Sequence, residues 1–180
     1  MLRTASLVSA VVVVAVSLLG MTAAAQDGAT HLDKAEMDTT AAAGIATMLE
    51  AARTITDQVL RHIDVEDGHV GVSVVSRTAV SPGERQSGIA HVKLDEIYYV
   101  VDGEGTMVTG GEFVDTQLRD SALLGPMLTG TIEGGQTRKM RVGDIAIIPE
   151  GMAHGWREIP TETITYLIFR NDPERVMEIK

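Results

Sequence analysis

VGDIAIIPEGMAHGWRE, residues 142–158, decides how the rest of the chain is read. Gly143 opens a run of β-branched residues, Pro149 and Gly151 mark a sharp reversal, and His154 begins the returning run. Glycine accepts positive φ and proline holds φ near about −65°, so a Pro-x-Gly step between two β-prone runs predicts two strands joined by a tight turn. The reversal leaves an imidazole beside the turn. A partner segment lies upstream: GIAHVKLDEIYYVVDGEG, residues 88–105, holds a histidine, a bend, an acidic residue, a strand and a turn at Asp102, Gly103, Glu104 and Gly105.

Working outward, everything after Ile63 has the same texture. HVGVSVVSR, DEIYYVV, TMVTGG, RKMRVGDIAIIP and TITYLIFR are short and rich in β-branched residues, and Gly, Pro and Asp separate them. Val70, Val72 and Val74 alternate with Gly71, Ser73 and Val75, as in a strand with one face on a core. Short strands at this spacing predict an all-β sandwich or barrel. Between the two key segments, residues 104–142 read as a long connection, broken by glycines and Pro126, that covers a barrel mouth or contacts a second copy.

The N-terminal third reads differently. Residues 1–25 combine Arg3, an apolar run from Leu7 to Leu19 and small residues at Ala23, Ala24 and Ala25. This is the pattern of a cleaved signal peptide, and the run is shorter than the roughly 20 residues that span a bilayer. Residues 26–39 read as a flexible lead-in. From 40 to 62, Ile45, Met48, Leu49, Ala52, Ile55 and Val59 recur at three- and four-residue spacing behind the candidate N-caps Asp38, Thr39 and Thr40. That period predicts an amphipathic helix packed on the domain formed by residues 63–180.

Composition narrows the chemistry. The chain has 180 residues, 44% of them hydrophobic, enough for one domain with a core. It contains no cysteine, so disulfides and thiolate ligands are excluded and any metal must be held by nitrogen and oxygen. Loss of the leader removes Arg3 and takes the formal net charge from −10 to −11. Such a surface repels nucleic acid and anionic lipid, and the chain shows no helix-turn-helix pattern, so neither a nucleic-acid partner nor a membrane partner after cleavage is expected. The leader implies an exported protein, periplasmic or secreted.

The two key segments resemble the paired motifs of the cupin superfamily. The second motif reads Gly, five residues, Pro, one, Gly, two, His, three, Asn; Gly143, Pro149, Gly151 and His154 match it, with Glu158 in place of Asn. The first motif ends in His, three or four residues, Glu, six residues, Gly, and His91, Glu96 and Gly103 fit that part. Its earlier histidine position falls on Ile89; a second registration takes His91 as that earlier histidine and puts Lys93 at the later position. The resemblance implies a jelly-roll barrel with an N-terminal helix, commonly paired as a homodimer. It also implies a divalent transition metal, Fe, Mn, Ni or Zn, on His91, Glu96 and His154. Two imidazoles and one carboxylate with open positions suit such ions.

Strand parity adds expectations around that set. Tyr98 and Val100 share the face of Glu96, Trp156 shares that of His154, and Arg157 faces the other way. Tyr98 offers a phenolic donor, and Lys93 offers an ammonium for an anionic substrate or for proton transfer. The reading is a metal-dependent enzyme on a small molecule, of oxygenase, isomerase or lyase type. The alternative is a non-catalytic binding module for a sugar or organic acid, with or without metal.

Overall fold

Ten β-strands and one α-helix are built from residues 28–83 and 87–178, which are those that the computed structural model describes. The chain divides into two units, Met1–His31 and Leu32–Lys180. In the first, the described residues 28–31 lie in neither helix nor strand, and the predicted leader, residues 1–25, lies outside the described residues. The second unit is described below. Among the described residues no helix is long and apolar enough to cross a membrane.

The elements of this unit are α1 (Lys34–Glu50), β1 (Ile55–Val65), β2 (Gly68–Val80), β3 (Ser87–His91), β4 (Asp95–Asp102), β5 (Glu104–Thr109), β6 (Glu112–Ser121), β7 (Gly125–Glu133), β8 (Gln136–Arg141), β9 (Ile145–Ile148) and β10 (His154–Asp172). All the strand pairings are antiparallel. One sheet runs β1-β2-β10-β4-β9 and the other β6-β7-β3-β10-β5-β8. The 19-residue β10 belongs to both: its first part, from His154, pairs with β3 and β5, and its later part pairs with β2 from Ile159 and with β4 from Thr165. The fold is an all-β jelly-roll barrel carrying one N-terminal helix.

Strict alternation fills the interior. Val75 of β2, Tyr98 and Val100 of β4, Met107 of β5, Met140 of β8, Ile148 of β9, and Trp156, Ile164, Tyr166 and Ile168 of β10 form one buried cluster from both sheets. The opposite parity of the same strands carries a second cluster, Val72, Val74 and Leu167 with Leu60, covered by Met37 and Ala41 of α1. The helix therefore packs on the outer face of the first sheet. Gly44 lets it approach closely, since a Cβ there would lie 3.0 Å from Gln58 Cγ.

The helix begins and ends earlier than its apolar period predicts. Asp33, not a residue from 38 to 40, caps it by accepting from the Glu36 N–H at 2.8 Å, so residues 34–39 of the predicted lead-in are helical. At the other end Ala52 turns left-handed, φ 49°, while the Ala52 and Arg53 N–H groups bond the Leu49 and Met48 carbonyls at 3.1 and 2.9 Å. That paired closure terminates the helix. Ile55 and Val59 keep helical spacing, yet they lie on β1, where β-branching favours the extended chain and β2 supplies backbone partners.

Residues 104–142 also differ from the expected excursion. They are regular: β5 to β8 supply four strands of the second sheet, and their glycines Gly110, Gly111, Gly134 and Gly135 sit at positive φ in the turns.

Three glycines of the key segments adopt positive φ: Gly103 (77°), Gly143 (91°) and Gly151 (74°). A Cβ on Gly143 or Gly151 meets nothing within 4 Å, whereas one on Gly103 would overlap the Thr163 carbonyl oxygen and approach Thr161 Oγ1 to 2.9 Å. Gly143→Ala and Gly151→Ala are therefore expected to lose about 1–2 kcal/mol each from backbone strain alone. Gly103→Ala, with strain plus a clash against backbone, should lose at least about 3 kcal/mol, and urea unfolding of the three variants ranks them.

Candidate metal centre

The chain bends at Val92, Lys93 and Leu94 after His91 and re-enters the sheet at Asp95. Leu94 is buried and anchors the bend, and the Val92 N–H donates to the Pro126 carbonyl at 3.0 Å. The Pro149–Gly151 turn comes back across this bend: the Gly151 N–H donates to the His91 carbonyl at 2.7 Å, and the Glu150 N–H to Asp95 Oδ1 at 3.1 Å. The two key segments are thus bonded to each other beside the residues that matter. His91 ends β3, Glu96 is the second residue of β4, and His154 starts β10.

Their side chains converge. His91 Nε2 and His154 Nε2 each lie 3.3 Å from Glu96 Oε2, and all three residues are buried. The imidazole centroids are 5.8 Å apart. Tyr98 joins them, its hydroxyl 3.1 Å from Glu96 Oε2 and 3.2 Å from His154 Nε2. Among the described residues this is the one group of three or more His, Asp or Glu whose donor atoms all lie within 4.8 Å of one another.

Proton placement shows what the cluster fits. His154 Nδ1 lies 3.0 Å from the Met152 carbonyl, which can only accept, so Nδ1 carries a hydrogen and Nε2 is the nitrogen turned inward. That nitrogen lies 3.3 Å from Glu96 Oε2 and 3.2 Å from the Tyr98 hydroxyl. A buried carboxylate oxygen set between two imidazole nitrogens is stabilised by a proton or a metal cation held among them, and a backbone carbonyl on the outer imidazole nitrogen is the usual support of a metal-bound histidine. The residues present therefore fit a divalent metal held by two nitrogens and one oxygen. On His91 the outer nitrogen, Nδ1, is buried without a protein partner.

Electrostatics keep Glu96 ionised, as a metal requires. Burial opposes the charge on Glu96, but the His154 and His91 imidazoles and the Arg170 guanidinium outweigh it and hold the carboxyl well below the usual carboxylate range. For Tyr98 burial and the Glu96 charge act together and raise the phenol well above its ordinary value, so it keeps its proton.

The fold is the jelly-roll barrel that the resemblance to cupins implies. The two key segments meet in space here: His91 from the first and His154 from the second both point into the cluster with Glu96. No family model matches the chain, and no curated protein matches it. Solved structures similar to it include the DMSP lyase DddQ from Ruegeria pomeroyi, at 18% identity and TM-score 0.43 over 68% of this chain and 49% of that one. Hydroxypropylphosphonic acid epoxidase from S. wedmorenis matches at 14% identity and TM-score 0.41, over 57% and 43%. A Klebsiella pneumoniae protein with a double-stranded β-helix domain matches at 17% identity and TM-score 0.42, over 67% and 79%. The chain spans about half the length of the lyase and less than half that of the epoxidase.

The remaining expected cupin residues divide. Tyr98, Val100 and Trp156 are buried inside, as parity requires, and Arg157 faces outward, donating to the Gly134 carbonyl at 2.8 Å. Lys93 is not brought to the cluster. Its side chain is 38% exposed and its ammonium pairs with Glu174 Oε1 at 2.7 Å, a bond that raises its pKa. The bend rotates it out of the strand alternation that would have aligned it with His91.

Sequence reasoning passed over Arg170. Buried on β10, it donates from Nε to Glu96 Oε1 at 2.9 Å, from Nη1 to Ser73 Oγ at 3.0 Å and from Nη2 to Asp57 Oδ2 at 2.7 Å. Burial works against its charge, but Asp57 and Glu96 more than offset this and raise its pKa. The signal was present in TITYLIFR, where Arg170 keeps the inward parity of Ile164, Tyr166 and Ile168.

A carboxyl with a depressed folded pKa makes the native state bind fewer protons than the unfolded chain, whose Glu titrates near about 4.3. The stabilisation is complete above that value and is lost as pH falls through the lower, folded one. With chelator present, the difference in unfolding free energy between wild type and Glu96→Gln should be full above about pH 5 and shrink below about pH 4. Urea titrations across that range measure it, and a difference flat with pH contradicts an ionised Glu96.

Proposed function

We propose that this protein is an exported, metal-dependent cupin enzyme acting on a small molecule, with His91, Glu96 and His154 as the ligands of one divalent transition metal. The observation that carries the reading is the convergence of two imidazole nitrogens on one oxygen of a buried carboxylate, each at 3.3 Å. Three protein ligands leave positions open for substrate, which separates a reactive centre from a closed structural one. The metal, when bound, supplies polarisation of a substrate oxygen or activation of water or dioxygen. Fe, Mn, Ni and Zn all suit the donor set.

The chain's own residues do the rest. Tyr98 stays protonated and presents its hydroxyl beside both Glu96 and His154, so it can donate a hydrogen bond, or a proton, to a substrate atom held there. Its ring stacks on Tyr166 at 4.8 Å, and Tyr166 Oη accepts from Arg77 Nε at 3.0 Å, which fixes the phenol's direction. Val100, Met107, Ile148 and Trp156 in the same buried cluster keep the surroundings dry, where charge interactions are strong. Export rests on the leader pattern of residues 1–25, and the acidic balance of the chain argues against nucleic-acid and membrane partners.

Expressed from residue 26 and loaded with Fe, Mn, Ni or Zn, the protein should hold about one divalent ion per chain, and His91→Ala and His154→Ala should each remove it. Elemental analysis after gel filtration measures this. A wild type that takes up none of the four ions refutes the metal reading. Metal bound without turnover of a broad small-molecule panel moves the assignment to a ligand-binding module.

We further propose a homodimer, on the outer face of the first sheet. Outside the part that α1 covers, pairing aligns Phe169, Ile97 and Ile147 in one row and Tyr99 with Ile145 in the next. Ile145 and Ile147, on the edge strand β9, are 60% and 71% exposed. Contiguous apolar surface of this kind, beside an unpaired strand edge, is the usual mark of an interface. Sedimentation should show a dimer at micromolar concentration and a monomer for Ile147→Lys; a monomeric wild type overturns the assignment.

A further inference from the structure

A carboxylate ligand has two oxygens and a soft terminal torsion, so nothing in Glu96 itself decides which oxygen faces the histidines. In this protein one side is taken: Arg170 Nε holds Oε1 at 2.9 Å, and only Oε2 is presented to His91 and His154. The guanidinium is in turn immobilised from two other strands. Its Nη2 bonds Asp57 of β1 at 2.7 Å and its Nη1 bonds Ser73 of β2 at 3.0 Å. One planar group from β10 thus spends its three nitrogens on three different strands.

This arrangement is costly to bury. A carboxylate–guanidinium–carboxylate triad inside a barrel is commonly no more stabilising than apolar residues of the same volume, and Asp57 Oδ1 is buried here without any partner. Charge alone does not favour it at a metal centre either, because a cation 2.9 Å from a ligand oxygen opposes the binding of a second cation. What the triad does supply is direction.

We propose that Arg170, fastened by Asp57 and Ser73, is a positioning residue that holds Glu96 as a one-oxygen ligand and thereby sets both the affinity and the coordination number of the metal centre. The inference rests on the metal reading given above and goes beyond its ligand set.

Arg170→Lys tests it, since a lysine keeps the charge but its single ammonium cannot replace a planar three-nitrogen fork. Cobalt(II) is the probe, titrated into metal-free wild type and variants, with visible absorption reporting the coordination number and far-UV circular dichroism reporting the fold. The expected result is folded Arg170→Lys with cobalt affinity about 10–100-fold weaker and an altered absorption envelope. Ser73→Ala, which changes no charge, should weaken binding in the same direction by a smaller factor, and it decides the matter if Arg170→Lys does not fold. Unchanged affinity and spectrum in the folded variants, with a lower melting temperature only, overturns the proposal in favour of a structural role. Tighter binding in either variant overturns it as well. A wild type that binds no cobalt overturns the metal reading beneath it; a wild type that binds while the variants match it overturns this inference alone.

Discussion

An ionised carboxylate in the interior of a barrel is the constraint on which the rest of this structure depends. Glu96 is 1% exposed, and a charge so far from water is tolerated only when every direction around it is answered. Arg170 answers one oxygen; His91, His154 and Tyr98 surround the other. Each of these comes from a different strand or a different part of one, so satisfying Glu96 requires the barrel to be closed. The site and the fold are the same problem seen at two scales.

Strand β10 makes that closure. It crosses from one sheet to the other, contributing His154 where it pairs with β3 and β5, and Arg170 where it pairs with β2 and β4. The opposing demands on Glu96 are therefore met by the two ends of a single strand. The turn before β10 adds the other tie: Gly151 bonds the His91 carbonyl and Glu150 bonds Asp95, so the bend carrying the first imidazole is locked to the reversal carrying the second. Such bonds explain why motif spacing matters. A residue more or less in either segment moves an imidazole to the wrong face of its strand.

Several of these features were legible beforehand because they are local. Period-two alternation announced the strands and put Glu96, Tyr98 and Val100 on one face, and the Gly and Pro positions announced turns whose positive φ values are present at Gly103, Gly143 and Gly151. Where local signals conflict, reading failed. Ile55 and Val59 satisfy a helical period and a strand composition equally, and the choice fell to Ala52, whose left-handed closure no residue preference announces. Lys93 failed for a related reason: parity holds only while a strand stays regular, and the bend after His91 breaks it. The run from 104 to 142 looked like an excursion in part because β6 is largely exposed and lacks the apolar alternation by which strands are recognised.

The sequence by itself determined the class of fold, the turns and the three residues whose side chains converge, since these depend on backbone preferences and on spacing within a few residues. The tertiary structure decided that Lys93 stands away from the cluster and that Arg170, held by Asp57 and Ser73, bonds Glu96. Those facts depend on which strands lie side by side. Residues separated by 74, 97 and 113 positions become neighbours of one guanidinium only when sheet pairing brings them there. Pairing is set by the burial of the whole apolar face, and no short stretch of chain contains that information.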